Sequence, residues 1–348
     1  MVDSLKIMIE KYPKKILIIR FSSMGDVILV SALFSAIKKH NLDSEITFVT
    51  DPQYIEFFRD DPRLGRVYGM PKKMGIIDTA LSENKWDLVI DLQRNSRSKT
   101  FLGLVKHKGK VSIFRKPYLK RILRLIIRTS SYSEKDMVIY RYLEAAGIRY
   151  DISRPETSRL FFKSSILPDH IQKTIYTGGI VRPVIALIPF AAWKNKEWPE
   201  ERFVNVGKYF LVKGWDVCIM GGPQEKQKAE DMAEKTGHRC VSLAGKLTLY
   251  ECGCFLKKCS LALGNDTGLS HLARSCGVRT GIIYGPTTRH WGFYPQGEPP
   301  FKIFEHPWFC RPCHAHGGNV CLLNRACMKS ISSDQVIKGL MDLVIASD

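Results

Sequence analysis

The chain has 348 residues, of which 45% are hydrophobic, and a formal net charge of +19 at pH 7. This length is sufficient for two domains of ordinary size. No apolar run approaches the ~20 residues that a membrane-spanning helix needs. The first fifteen residues include Asp3 and Glu10 and lack the apolar core of a signal peptide. These features predict a cytoplasmic protein without a transmembrane segment.

The first half of the sequence alternates between short apolar runs and helical patterns. Residues 15–20 are almost wholly apolar, which is typical of a parallel strand buried on both faces. Residues 27–39 have helical periodicity, and two further strands are predicted at residues 46–50 and 86–92. This alternation predicts a doubly wound α/β domain.

The same pattern starts again near residue 183. A buried strand is predicted at residues 183–189, and Pro199 followed by two glutamates is typical of a helix start. Further elements follow in chain order: strands at residues 216–220, 260–264 and 279–286, a helix at residues 224–236, and a closing helix from Ser333.

Residues 150–180 are mixed in character and contain prolines, so they are interpreted as a linker. The sequence therefore predicts two Rossmann-like α/β domains, at residues 1–165 and 166–348, that face one another across a ligand cleft. Sheets of this kind bind ligands at the carboxyl ends of their strands.

The first candidate site follows the first strand, at residues 22–26 with the sequence SSMGD. Asp26 stands at the ligand-binding edge of the predicted sheet, where a carboxylate can remove a proton from an acceptor hydroxyl. Asp is also favoured at helix starts, where it caps free N–H groups. Position alone leaves both roles of Asp26 open.

The second candidate site is at residues 265–271, with the sequence NDTGLSH, between a strand and a helix. The N–H groups of Thr267, Gly268 and Leu269 are predicted to lie at the helix start, where they can bind a diphosphate. His271 falls in the first helical turn and either faces the ligand or makes a hydrogen bond within the fold.

Two further charged residues follow strand ends in the second half. Lys196 can neutralise the charge on a departing diphosphate, or it can be an exposed loop lysine. Glu225 can bind ribose hydroxyls or stabilise a helix start. The chain has no Asp-x-Asp, P-loop or Gly-x-Gly-x-x-Gly pattern. These features predict a sugar-nucleotide enzyme that uses no metal and no cofactor.

All ten cysteines follow residue 217. Four of them share a polar stretch with three histidines, namely Cys310, Cys313, Cys321 and Cys327. The first pair has metal-ligand spacing, but five residues separate the second pair, which is more than in the usual structural zinc site. We therefore expect reduced thiols in a structured loop, with a zinc site as the alternative.

Residues 94–128 contain twelve Lys or Arg residues and no Asp or Glu. Such a field attracts phosphate groups on nucleic acid, anionic lipid or a glycolipid, or simply keeps the surface solvated. Residues 117–128 have the pattern of a basic amphipathic helix, which predicts peripheral contact with the inner membrane. A nucleic-acid-binding protein is the alternative, but no recognisable nucleic-acid module is present, so no nucleic-acid partner is expected.

Taken together, these motifs resemble the bacterial heptosyltransferases of glycosyltransferase family 9, which build the inner core of lipopolysaccharide. The matching segments are residues 16–27, 196–199, 221–225, 266–273 and 284–287, and the cysteine-rich tail that ends at Cys327 and Met328. The resemblance implies a GT-B fold, an ADP-heptose donor and inversion at the anomeric carbon.

The resemblance also implies roles for individual residues. Asp26 matches the family's catalytic base, Lys196 matches its phosphate-binding lysine, and Glu225 falls where the family contacts ribose. The other donor positions are Asp266, Thr267, Gly268 and Leu269 in the diphosphate loop, His271 beside it, and Leu247 near the adenine. Ala191 and Ala192 depart from the pattern, because some members have hydroxyl residues there, and this departure bears on donor identity.

The implied acceptor is a lipid-A-linked core oligosaccharide at the cytoplasmic face of the inner membrane, and the basic stretch suits its phosphates. Candidate acceptor contacts are Ser22, Ser23, Arg94 and Arg97. A related GT-B glycosyltransferase that uses another nucleotide sugar is the closest alternative. The sequence leaves open which core sugar accepts the heptose.

Overall fold

The structure, a computed structural model, describes residues 12–72, 78–115, 133–163, 182–314 and 316–345, together with Leu125. Its strands form two sheets. The first contains β1 (Lys15–Ile19), β2 (Glu45–Thr50), β3 (Leu64–Gly69), β4 (Trp86–Asp91) and β5 (His107–Ile113). The second contains β6 (Val184–Ile188), β7 (Asp216–Ile219), β8 (Cys240–Ser242), β9 (Leu261–Asn265), β10 (Arg279–Tyr284) and β11 (Phe301–Glu305).

The helices of the described residues lie mostly between these strands. They are α1 (Met24–His40), α2 (Thr79–Ser82), α3 (Ser96–Gly103), α4 (Val138–Ala145), α5 (Glu200–Val212), α6 (Lys226–Thr236), α7 (Leu249–Leu256), α8 (Gly268–Ser275), α9 (Ala326–Lys329) and α10 (Ser333–Ile345). Short 3-10 helices occur at Pro52–Phe58, Glu134–Asp136, Lys194–Lys196, Pro223–Glu225 and Arg289–Trp291. None of the described helices is long and apolar enough to span a membrane.

The strand orders are β3-β2-β1-β4-β5 and β11-β10-β9-β6-β7-β8, and all neighbouring strands run parallel. In the first sheet the chain order reverses between β1 and β4, and in the second between β6 and β9. The predicted α/β class with two Rossmann-like sheets is confirmed. Ligands of such sheets bind in the crevice beyond the carboxyl ends of the strands where the order reverses.

The central strands are apolar along their whole length because both of their faces are buried. In β1, Ile16 and Ile18 belong to a core cluster that also contains Ile188 of the second sheet. Leu17 and Ile19 pack on the opposite face of the first sheet. The core therefore continues from one sheet to the other, which fixes the two strand edges relative to one another.

Two sequence predictions fall largely outside the described residues. The basic amphipathic helix at residues 117–128 does so except for Leu125. The domain boundary between residues 165 and 166 lies in the segment 164–181, which the structure does not describe, so it stays a prediction. The central elements of both halves, by contrast, lie within two residues of their predicted starts or ends, with the helix at α1 extending three residues earlier.

The edge strand β5 makes an unusually close contact with β4. A β-carbon at Gly109 would stand 1.7 Å from the carbonyl oxygen of Asp87, which is a backbone atom that cannot rotate away. We therefore expect Gly109→Ala to lower the free energy of unfolding by about 1–3 kcal/mol, as overpacking does, measured by urea denaturation.

Gly103→Ala is the matched control for this substitution. Gly103 ends α3, and a β-carbon there has nothing within 4 Å. We expect its free energy of unfolding to stay constant or rise by up to about 1 kcal/mol, because alanine restricts the unfolded chain. Equal stability of the two variants would contradict the close contact of β5 with β4.

Candidate active site

Four loops that carry predicted site residues begin at the strands where the chain order reverses. Asp26 follows β1 and Arg94 follows β4 in the first sheet. Lys196 follows β6 and Asp266 follows β9 in the second sheet. The sequence therefore places its most informative residues at the two positions where sheets of this kind bind ligands.

The two loops with the predicted motifs meet where α1 packs against α8. A β-carbon at Gly25 would stand 2.9 Å from Cδ2 of His271, and one at Gly268 would stand 2.5 Å from Sδ of Met24. Each helix start therefore has a glycine where a side chain of the other helix lies against it. These contacts bring the base candidate and the diphosphate loop together.

Asp26 accepts hydrogen bonds on both carboxylate oxygens. Arg20 Nη2 lies 2.8 Å from Oδ1, and the Tyr142 hydroxyl donates to the same oxygen at 3.3 Å. Ser23 donates to Oδ2 from its hydroxyl at 2.8 Å and from its backbone N–H at 3.4 Å. The side chain of Asp26 is 15% exposed, so it remains accessible from the cleft.

The bond to Ser23 shows that Asp26 also caps α1, so the two roles left open by the sequence are compatible. Burial raises the pKa of Asp26, but the Arg20 charge and the hydrogen bonds from Ser23 and Arg20 outweigh it, and the pKa lies below its usual value. The carboxylate is therefore ionised at neutral pH, as a general base requires.

A residue that sequence reasoning missed fixes the loop of Asp26. The side-chain oxygen of Gln93, which follows β4, accepts the N–H groups of Phe21 at 3.0 Å and Ser22 at 3.2 Å. Asp91 in turn accepts the N–H of Gln93 at 2.9 Å. The only sequence signal for this role of Gln93 is that it is a polar residue soon after a buried strand.

The two candidate acceptor arginines have different environments. Arg97 lies 2.6 Å from a carboxylate oxygen of Asp51 and stacks on Phe21, so its charge is engaged inside the first domain. Arg94 is exposed and has a left-handed backbone with φ of 49°. Asp91 accepts its N–H at 2.9 Å, which holds this unusual conformation at the end of β4.

On the donor side, Asp266 is the centre of a buried cluster. Lys196 Nζ donates to Oδ2 of Asp266 at 2.5 Å and to its carbonyl oxygen at 3.1 Å. The hydroxyl of Thr287 donates to Oδ2 at 2.7 Å, and His271 Nε2 lies 4.0 Å from Oδ1. The sequence assigned Thr287 no role in the site, although it lies in the matching segment 284–287 and follows the end of β10 by three residues.

The charges of this cluster follow from burial and pairing. Burial raises the pKa of Asp266, but the positive charge of Lys196 and the hydrogen bonds from Lys196 and Thr287 lower it, and the pKa lies below its usual value. Burial lowers the pKa of His271 more than the carboxylates raise it, so the imidazole is neutral at neutral pH. A neutral histidine beside Lys196 leaves the lysine as the cation of the donor side.

The diphosphate loop joins Asp266 to α8. Thr267 is the N-cap residue of α8, with an extended backbone, and Gly268 is the first helical residue. The first N–H groups of an α-helix have no partner within the helix and lie at its positive end. Thr267, Gly268 and Leu269 therefore present donors close to Lys196.

Glu225 and Leu247 lie on neighbouring loops after β7 and β8. Glu225 Oε2 accepts the N–H of Gly222 at 2.7 Å. The N–H of Gly245 donates to the carbonyl of Gly221 at 3.1 Å, which joins the two loops. Leu247 is half-buried against the main core. Both residues thus lie on the same strand edge as Lys196, further along the sheet.

The short helix that carries Lys196 is held by the cysteine-rich segment. The side-chain amide of Asn195 donates to the carbonyls of Gly317 at 3.3 Å and Val320 at 2.8 Å. Arg325 Nη1 donates to the carbonyls of Lys194 at 3.3 Å and Glu197 at 3.1 Å. The position of Lys196 therefore depends on residues more than 120 positions later in the chain.

Asn195 also borders a small cavity that is lined by all four clustered cysteines, Cys310, Cys313, Cys321 and Cys327. These cysteines are free thiols, and burial raises the pKa of Cys313 to about 11. Within the part of the chain that the structure describes, no group of three or more His, Cys, Asp or Glu side chains is arranged to hold a metal ion.

Comparison with known proteins agrees with this geometry. The family model of glycosyltransferase family 9 (heptosyltransferase) matches residues 76–298, which is more than half of the chain. The chain is 24% identical over 312 residues to lipooligosaccharide heptosyltransferase 2 of Haemophilus ducreyi, covering 83% of this chain and 86% of that protein.

Two solved structures share the fold. A family 9 glycosyl transferase from Veillonella parvula has a TM-score of 0.73 and 22% identity, covering 96% of this chain and 98% of its own. The E. coli ADP-heptose lps heptosyltransferase II has a TM-score of 0.68 and 18% identity, covering 95% and 99%. The two-domain architecture of this chain is thus that of GT-B glycosyltransferases. The chain belongs to glycosyltransferase family 9.

The buried hydrogen bond from Thr287 to Asp266 gives a prediction on stability. Thr287→Val removes a donor to a buried carboxylate, so we expect the free energy of unfolding to fall by about 1–3 kcal/mol, measured by urea denaturation. Thr287→Ser keeps the hydroxyl, so its free energy of unfolding should be closer to that of the wild type. A valine variant as stable as the serine variant would show that this bond does not stabilise the donor side.

Proposed function

We propose that this glycosyltransferase transfers heptose from ADP-heptose to the lipopolysaccharide inner core, with inversion and without a metal ion. One observation carries the proposal: an ionised Asp26 lies at one helix start, and Lys196 lies beside the facing start of α8. A base and an anion-binding group on opposite sides of one cleft suit displacement of a diphosphate. The heptose donor is supported by the relatives, several of which are named as heptosyltransferases.

The proposed reaction is a single displacement. Asp26 accepts the proton of the acceptor hydroxyl while the oxygen of that hydroxyl forms a bond to the anomeric carbon of the donor. The bond from that carbon to the diphosphate breaks, and its electron pair leaves with the diphosphate. Lys196 and the N–H groups at the start of α8 stabilise this negative charge. Attack from the side opposite the leaving group inverts the anomeric carbon.

The other donor contacts follow from the positions of the residues along the second sheet. In this proposal Asp266 orients Lys196, and the amides of Thr267, Gly268 and Leu269 bind the diphosphate, with His271 beside them. Glu225 has one carboxylate oxygen on Gly222 and can bind ribose hydroxyls with the other. Leu247 on the adjoining loop contacts the adenine.

The acceptor side is proposed to bind a lipid-A-linked core oligosaccharide at the cytoplasmic face of the inner membrane. Arg94 is the better candidate for a phosphate contact, because its side chain is exposed while that of Arg97 is half-buried beside Asp51. Ser22 and Ser23 adjoin Asp26 and are proposed to contact the acceptor sugar. Exposed Lys108 and Lys110 on edge strand β5 add positive charge for peripheral contact with anionic lipid.

The first test is nucleoside diphosphate release from ADP-heptose, UDP-sugars and GDP-sugars with a heptose-deficient lipopolysaccharide acceptor. We expect acceptor-dependent release from ADP-heptose. Asp26→Asn should lower that rate about 10²–10⁴-fold because the general base is lost, while ADP binding measured by calorimetry stays unchanged.

Two outcomes would contradict parts of this proposal. Release from another nucleotide sugar alone would replace the donor, which is the alternative raised by Ala191 and Ala192. Near wild-type turnover of Asp26→Asn would remove the assigned base.

Lys196 and Lys194 allow a matched comparison on one short helix. Lys196→Ala should lower turnover about 10²–10³-fold, because charge on the departing diphosphate loses its cation. Lys194 is exposed on the same short helix, so Lys194→Ala should keep wild-type turnover. Initial rates of ADP release measure both variants, and equal losses would argue against a specific role of Lys196.

A further inference from the structure

We propose that Arg20 and Tyr142 are positioning residues that clamp one oxygen of the Asp26 carboxylate and hold the group in one orientation at the cleft. This inference rests on the proposed role of Asp26 as the general base. It adds two residues from other elements to that role, one at the end of β1 and one on α4.

Arg20 is anchored at two points. Its side chain is 8% exposed, with Nη2 at 2.8 Å from Oδ1 of Asp26. Its Nη1 donates to the carbonyl of Leu92, beyond the end of β4, at 2.6 Å. Because the guanidinium group is planar, two contacts fix its orientation. Arg20 therefore ties Asp26 to the strand β4 next to its own strand in the first sheet.

Tyr142 approaches the same oxygen from α4, which packs against α1. Its ring is buried and makes an edge contact with Phe114 at a centroid distance of 5.3 Å. Burial raises the pKa of the Tyr142 hydroxyl well above its usual value, so the hydroxyl keeps its proton and donates to Asp26 at 3.3 Å. The carboxylate thus has two donors on Oδ1 from two separate elements.

The titratable groups around Asp26 come from four elements. They are Arg20 after β1, Tyr142 on α4, His271 on α8 and Tyr54 on the 3-10 helix Pro52–Phe58. Burial keeps His271 neutral, and the pKa values of both tyrosines are raised. Of these four residues, Arg20 alone is positively charged at neutral pH, so it supplies the charge that keeps Asp26 ionised.

The test is the pH dependence of kcat/KM. Removal of an adjacent cation raises a carboxylate pKa by about 1–3 units. Without Arg20, Asp26 takes up its proton at a higher pH, so activity is lost earlier as the pH falls. We expect the acid limb of the Arg20→Gln profile to move upward by about 1–3 pH units, with ADP binding unchanged. Arg20→Lys retains the charge and should keep the limb near that of the wild type.

Tyr142→Phe removes only the hydroxyl that donates to Asp26. It is the second test of the clamp and can be measured even if Arg20→Gln does not fold. We expect its acid limb to move in the same direction by less than about one pH unit, with a lower kcat and an unchanged KM for the donor. Arg63→Gln is the control, because Arg63 pairs with the buried Asp61 at 2.5 Å in the same domain. Its acid limb should match that of the wild type.

The outcomes separate this inference from the proposed function. If Asp26→Asn keeps wild-type turnover, the base itself is wrong. If Asp26→Asn is inactive but Arg20→Gln and Tyr142→Phe both keep the wild-type acid limb, the clamp is overturned and the base stands. An upward shift in Arg63→Gln as large as that in Arg20→Gln would also overturn it, because the effect would then reflect a general loss of stability.

Discussion

The arrangement of the cleft depends on a reciprocal contact between two helix starts. Gly25 lies against His271, and Gly268 lies against Met24, with no space for a β-carbon at either glycine. Asp26 directly follows the first glycine, and the N–H groups of the diphosphate loop adjoin the second. The separation between Asp26 and the start of α8 is therefore set by close packing of a side chain from each helix start against the glycine of the other.

The charges of the cleft are arranged in two buried ion pairs, one in each half. Arg20 pairs with Asp26 and donates a hydrogen bond to a backbone carbonyl, so its charge stabilises the ionised carboxylate. Lys196 is instead bound to the carboxylate and the carbonyl oxygen of Asp266, directly before the start of α8. In the proposed function, a diphosphate in front of α8 competes with Asp266 for the same ammonium group. On that proposal, donor binding uses a cation that Asp266 already holds in place, so little conformational entropy is lost in ordering it.

The sequence predicted the features that depend on local pattern. Apolar runs indicated the strands that are buried on both faces. Asp26, Lys196 and Asp266 were located because they follow such runs. Partners that meet only through the strand order were not predictable: Tyr142 contacts Asp26 across 116 positions and Gln93 supports Phe21 across 72. Edge strand β5, with the sequence HKGKVSI, lacked the apolar signal because its side chains are mostly exposed.

The support of Lys196 by the tail also limits how the chain can be shortened. The family match ends at residue 298, yet the hydrogen bonds that hold Asn195 come from Gly317 and Val320. A protein cut at residue 298 would lose these hydrogen bonds together with β11 and α10, which pack against β10. The folded unit that holds Lys196 in place is therefore longer than the region that similarity marks out.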